Sequence, residues 1–220
     1  MEDASSLSPA PYSAVAKALI TELGIDVSSY ASAVDRALYP SLGLKPGFFF
    51  DKETFGTDQL VVGNRREFDA GFIAAAPISD AAKRDLGRLT TERFDPFPAL
   101  SLAAKKAALA RMSYADFITR AWKLDPTIVA IFQNSTHDLF GAGIDVVSAQ
   151  DANGLGLPGF QGMGLDNAPG PGQNYDSIRS KEAEDYYFHF PDGCATIARL
   201  LVRRLVPDAM PGSTANDVVT

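Results

Sequence analysis

Histidine, cysteine and tryptophan are almost missing, at two, one and one in 220 residues. The lone Cys194 excludes an intramolecular disulfide and any multi-thiolate metal centre, and leaves the redox compartment unreadable. His137 and His189 lie far apart and neither has a second ligand at metal spacing, so no metal site is expected. Basic residues are in deficit too, 20 Lys+Arg against 27 Asp+Glu, for a formal net charge of −7. Nucleic acid is gripped by a clustered basic surface that displaces counterions, and this balance argues against such a partner. The one basic cluster, Arg199, Arg203 and Arg204, reads as the polar side of a helix. No run approaches the roughly 18–20 apolar residues of a membrane span. The opening Met1-Glu2-Asp3-Ala4-Ser5-Ser6 is acidic and polar where a secretory leader is basic and then apolar. As written the chain reads as soluble and cytoplasmic; an upstream signal would make an intact protein periplasmic.

What is present is apolar material, 46% of the chain with 10% aromatic, sufficient for one sizeable core or two small ones. After a flexible Ser/Pro-rich leader over 1–11, Val15, Ala18, Leu19 and Leu23 recur at helical spacing up to a C-cap at Gly24. A second short helix is expected over 29–38. Gly47 to Asp51 and Gln59 to Val62 are aromatic and β-branched around a Gly- and Asp-containing turn, which predicts a hairpin. Four helices follow from their start signals: Ser79 to about Thr91, Ser101 to Met112, Ser113 to Trp122, and Asp125-Pro126 to about Asn134. His137, placed after that last helix, has a role in capping its end. Ile144 to Ala152 reads as a short helix, with a buried strand as the alternative. Asn134-Ser135-Thr136 matches a glycosylation sequon at a helix end and carries no weight.

From Gly154 to Gly172 seven glycines and three prolines exclude regular structure. Irregular segments this long act as lids, binding loops, contacts to another part of the protein, or disordered connectors. Gly154-Leu155-Gly156-Leu157-Pro158-Gly159 matches the letters of a dinucleotide fingerprint, with Asp176 about 20 residues on. The pattern functions only where a strand feeds a tight turn and a helix N-terminus offers its amides to pyrophosphate. Phe160 to Pro169 cannot make that helix, so the match is rejected. No Ser/His/Asp set or nucleophile elbow can be assembled. Beyond the segment, Asp185 to Phe190 is expected as a strand, with His189 facing away from Phe188 and Phe190. Ala195 to Leu205 is expected as a helix with Ile197, Leu200, Leu201 and Leu205 on one face. Ser213 or Thr214 followed by Asp217 resembles a capped helix start, with only Val218 to Thr220 after it. That suggests a divided or truncated protein, the alternative being a frayed tail. The expected fold is mainly α with a small β component, without a Rossmann unit. Its divisions are a helical body over 12–153, a Gly/Pro-rich loop over 154–182, and a return strand and helix over 183–220.

Four segments together, Phe48-Phe49-Phe50-Asp51-Lys52-Glu53-Thr54-Phe55-Gly56, Met112-Ser113-Tyr114-Ala115-Asp116-Phe117, Gly143-Ile144-Asp145-Val146-Val147-Ser148-Ala149 and His189 to Leu201, resemble the bacterial spermidine dehydrogenase family of FAD-dependent amine oxidoreductases. The resemblance runs from about Tyr12 to Thr220. It implies the helical substrate-domain portion of a two-domain enzyme, which leaves an FAD-binding βαβ unit and returns to it through a strand, a small-residue turn and a helix. The family's fingerprint and later flavin elements have no counterpart here, so a partner is implied: a missing FAD-binding domain or a second chain. By the resemblance, Gly193, Cys194, Ala195 and Thr196 face the flavin or the substrate beside it, with Cys194 where the family has Asn, a change that removes an amide donor and acceptor. The implied chemistry is polyamine oxidation by hydride transfer to FAD, the cofactor performing the redox step. Carboxylates and aromatic faces suit polyamine cations, and Asp145, Asp185, Tyr186 and Tyr187 are residues of that type. Any haem centre is unreadable from these residues. The other class of function is a stand-alone helical binding module with the 154–172 loop as its contact surface.

Overall fold

The computed structural model describes residues 13–26, 29, 35–63, 68–180 and 193–219. In chain order the elements are α1 (Ala14–Glu22), α2 (Leu38–Ser41), β1 (Gly47–Phe50), α3 (Lys52–Phe55), β2 (Gln59–Val62), α4 (Ala70–Ala75), α5 (Asp80–Thr91), α6 (Leu102–Leu109) and α7 (Tyr114–Asp116). A π-helical turn, Phe117–Ala121, continues α7, and α8 (Thr127–Phe132), α9 (His137–Phe140), α10 (Ala149–Gly154), α11 (Tyr175–Ser180) and α12 (Ala195–Leu205) follow. The fold is mainly α with a small β component, and the one sheet among the described residues is the antiparallel pair β1-β2.

Two compact units result: Tyr39–Lys181, and Met1–Leu38 with Glu182–Thr220. One division lies one residue from the expected 182/183 boundary, and none falls at 153/154. Helix α1 groups with the C-terminal segment, the glycine-rich stretch groups with the helical middle, and 154–182 contains α11. The 1–11 leader, residues 30–34 of the expected 29–38 helix, and the 185–190 strand with His189 lie outside the described residues; Arg36 and Ala37 form a turn, and α2 begins at Leu38.

Short polar side chains start most helices of the central unit. Ser79, Ser101, Ser113 and Ser148, with Asp51 and Asp69, each accept a hydrogen bond from the backbone N–H three residues on. Such caps stabilise a helix by about 1 kcal/mol each. Helix α5 buries Ala82, Leu86 and Leu89 along one stripe. Its face joins Phe50, Phe72, Leu109, Tyr114, Phe117, Ile128 and Phe132 in the main core. The expected helix from Ser101 stops at Leu109, and the one from Pro126 at Phe132. His137 opens α9 instead of closing α8, because a turn over 133–136 separates the two. The Ile144 to Ala152 segment divides: Ile144–Val146 is a turn, Ser148 forms an antiparallel bridge with Ser113, and helix begins at Ala149.

That bridge belongs to a longer backbone junction. Tyr114 N–H donates to Val147 O (3.0 Å), Ala115 N–H to Ile144 O (3.0 Å) and Ala149 N–H to Met112 O (2.9 Å). Residues 112–115 and 144–149 therefore fold as one piece.

Of the stretch expected to be irregular, 154–172, all but Gly154, the last residue of α10, has no regular element, and the irregular run extends to 174, yet it is built into the core. Phe160 stacks on Phe117 with centroids 4.5 Å apart and planes 8° from parallel. Met163 is buried beside it in the same cluster. Tyr114 Oη donates to Pro158 O (2.8 Å), Trp122 Nε1 to Gly159 O (3.1 Å), and Gln161 Nε2 to the carbonyls of Leu89 and Glu92. Lys105 bonds Asp95 and Met163 O, and Lys106 bonds Asp166 and Ala168 O. At the far end, buried Asp151 accepts from Asn174 N–H and the Ser177 hydroxyl. Two glycines are required by contact: a Cβ on Gly159, whose φ is +101°, would lie 2.6 Å from Leu89 Cδ1, and one on Gly162 would meet the backbone of Arg93 and Phe94. In the rejected fingerprint, Gly154 is the last residue of a helix, and no strand feeds it.

In the other unit, Leu23, Ile25, Leu200, Ala215 and Val218 form a small core, with Ile197 and Leu201 at its margin. Leu205, expected on the same face, is 80% exposed at the helix end. The basic cluster binds this unit to itself: Arg199 donates to Val218 O, Arg203 to Thr214 O, and Arg204 to Glu22. The capped start at Thr214 is a 3-10 turn, Ala215–Val218, with Thr214 and Asp217 in a reciprocal capping box. No helix among the described residues is long and apolar enough to cross a membrane.

Candidate binding cleft and the expected site residues

A cleft of about 580 Å³ opens in the central unit along β1. One part of its wall is Pro46 to Phe49 with Asp51, Thr54, Phe55 and Gly63; the rest is Ala130 and Ile131 of α8 with Gln133 and Asn134 just beyond it in sequence. The alternation of a strand explains the first part. Phe48 packs inward against Phe50 and Phe55, with centroids 4.6 and 6.3 Å away, while Phe49 stands outward and 57% exposed. Asp51 ends the strand and caps α3, accepting from Thr54 N–H at 2.8 Å. Hydrogen bonds from the Thr54 hydroxyl and N–H hold its carboxyl below the usual carboxylate range, so the cleft carries a fixed negative charge at neutral pH.

Asp145 is exposed and accepts from Gln133 Nε2 at 2.6 Å, which ties it to the cleft wall without making it part of the lining. Ile144 N–H donates to Gln133 O at 3.2 Å and fixes the same junction from the backbone. Asp185, Tyr186 and Tyr187 lie outside the described residues. Gly193, Cys194, Ala195 and Thr196 form the entry to α12 in the other unit. Gly193 has φ +80°, Cys194 is the partly buried N-cap residue, and Thr196 is fully buried with its N–H donating to Gly193 O (3.2 Å). Of the expected site residues the structure thus joins the 193–196 turn and, separately, holds Asp145 in the central unit. Asp51, Gln133 and Asn134 were not among them; the cap geometry of Asp51 is the one signal that could have singled it out, because the amide wall depends on tertiary packing.

Among the described residues no group of three or more His, Cys, Asp or Glu could hold a metal ion. FAD requires a pyrophosphate cradle, in which a parallel strand delivers a glycine turn to a helix N-terminus. The described residues contain no parallel strand, and on their own they do not fit that cofactor. The chemistry they support is binding by a strand edge, aromatic rings, amide side chains and one ionised carboxylate. No protein-family model matches the chain, and no curated protein matches its sequence.

Proposed function

We propose that the chain is the substrate-side portion of a flavin-dependent amine oxidoreductase similar to the bacterial spermidine dehydrogenases, inactive until a cofactor-binding half is supplied by further polypeptide. The observation that supports this reading best is the backbone junction between 112–115 and 144–149. Two of the segments that carry the resemblance, separated in sequence, form one folded piece. That piece presents Asp145 as an exposed carboxylate oriented by Gln133, a suitable contact for an alkylammonium cation. In this reading Gly193 to Thr196 form the turn facing the flavin, Asp185, Tyr186 and Tyr187 add substrate contacts, and FAD supplies the redox chemistry when bound.

The test combines gel filtration of the purified chain after incubation with FAD and calorimetry with spermidine. The expected result is no retained flavin, together with spermidine binding that Asp145→Asn weakens several-fold. A chain that emerges yellow with stoichiometric flavin and oxidises spermidine would defeat the idea of a missing half. Indifference to spermidine in wild type and variant alike would defeat the amine assignment.

A further inference from the structure

The cleft borders an edge of β1 whose main chain has no partner among the described residues. Gly63 N–H donates to Pro46 O at 2.9 Å, and Gly47 pairs with Val62, Phe48 with Val61, Phe49 with Leu60. Hydrogen-bonded and non-hydrogen-bonded pairs alternate along an antiparallel ladder. The Pro46·Gly63 bond therefore makes Phe48·Val61 the next bonded pair and turns the N–H and C=O of Gly47 and Phe49 away from β2. Among the described residues no second strand lies on that side, and none bonds these amides. The lining includes three consecutive residues of β1 but none of β2, so the cleft follows the edge and not a face of the hairpin. The lining also includes Gln133 and Asn134, whose side-chain amides can bond an added chain.

We propose that this cleft is a strand-addition site for an extended basic peptide. Its main chain pairs with Gly47 and Phe49 as a third strand, its apolar side chains alternate onto Phe48 and Phe55, and a Lys or Arg reaches Asp51. A partner of that charge follows from the ionised Asp51 and from the chain's net charge of −7. Four residues of β1 allow contact over about four peptide residues. The proposal goes beyond the flavin reading and does not rest on it.

The probe is a fluorescein-labelled peptide, Lys-Val-Thr-Val-Thr-Val, compared by anisotropy with two versions N-methylated at either set of alternate residues. An extended strand offers alternate N–H groups to opposite sides, so methylation of one set is expected to weaken binding at least tenfold and of the other far less. Phe49→Pro, which removes an outward N–H at an exposed position, is expected to abolish binding, and Asp51→Asn, which preserves the cap, to weaken it several-fold. Hydrogen exchange gives an independent reading on the unaltered protein: the Gly47 and Phe49 amides exchange fast alone and slow with peptide. Absence of binding, equal binding of both methylated forms, or slow exchange of these amides in the free chain would overturn the proposal. Displacement of the peptide by spermidine at constant ionic strength would overturn it as well, by making the cleft a small-cation site.

Discussion

The β1-β2 hairpin and the glycine-rich segment over 155–174 differ in opposite directions from what their local structure suggests. The hairpin is regular, yet its outer face is an uninterrupted apolar row, with Phe49, Leu60 and Val62 exposed by 57%, 62% and 56%. The glycine-rich segment has no helix or strand, yet Phe160 and Met163 are 6% and 2% exposed and its carbonyls accept bonds from six surrounding side chains. Burial follows from whether side chains fill space and main-chain groups find partners, and repeating backbone angles are one means among several. Glycine here permits close approach of chains, the opposite of the mobility that its frequency suggests.

Substitution can break or sharpen that contrast. Phe160→Ala removes a stacked ring from the core and is expected to cost about 3–5 kcal/mol in urea denaturation, more than any single hairpin-face change. Gly159→Ala adds one methyl group against Leu89 at a left-handed backbone position and is expected to cost about 1–3 kcal/mol; a neutral result would show that the segment yields easily. Lys106→Met keeps the buried stem but leaves Ala168 O without its donor, for an expected loss of about 1–2 kcal/mol by the same measurement.

A pH effect comes next. Desolvation pushes the Asp95 carboxyl up, but hydrogen bonds from Lys105 and Phe97 N–H outweigh it and the net shift is downward. The stabilisation is therefore fully present above the unfolded carboxyl's pKa of about 3.9 and is lost as pH falls through the lower folded value. Wild type and Asp95→Asn should differ in urea midpoint near neutrality and converge below about pH 4; the absence of a gap at any pH would show that Lys105 clamps the segment through Met163 O alone. The smallest change is expected at the hairpin, where Leu60→Thr should alter stability by no more than about 0.5 kcal/mol while reducing binding of an apolar dye. A large loss there would mean that the face is covered in solution.

Much of the architecture was legible in residues that act on near neighbours. Ser79, Ser101 and Ser113 announce their helices because a cap bonds only three residues ahead, and the hairpin is legible because β1 and β2 are close in sequence. Helix α4 escaped despite its Asp69 cap, since six residues containing Gly71 show no period. The π turn over Phe117–Ala121 has no local signal, and its last bond, Trp122 N–H to Phe117 O, closes where Trp122 also reaches Gly159. Distance along the chain hid the rest. The fit of Gly162 is decided by Arg93 and Phe94, and the cleft brings residues of β1 together with Gln133 and Asn134, more than 80 residues away in sequence. Asp145 was named as a site residue from its type, whereas its orientation by Gln133 appears only in three dimensions.

The two adjacent lysines of α6 have a practical consequence. Because Lys105 and Lys106 grip successive points of the same irregular stretch, its low-complexity letters conceal a poor place to divide the polypeptide. A protease that prefers glycine- and proline-rich connectors would find this one closed until the surrounding helices open, and a gene fusion or split placed there would sever the interior of a domain instead of joining two.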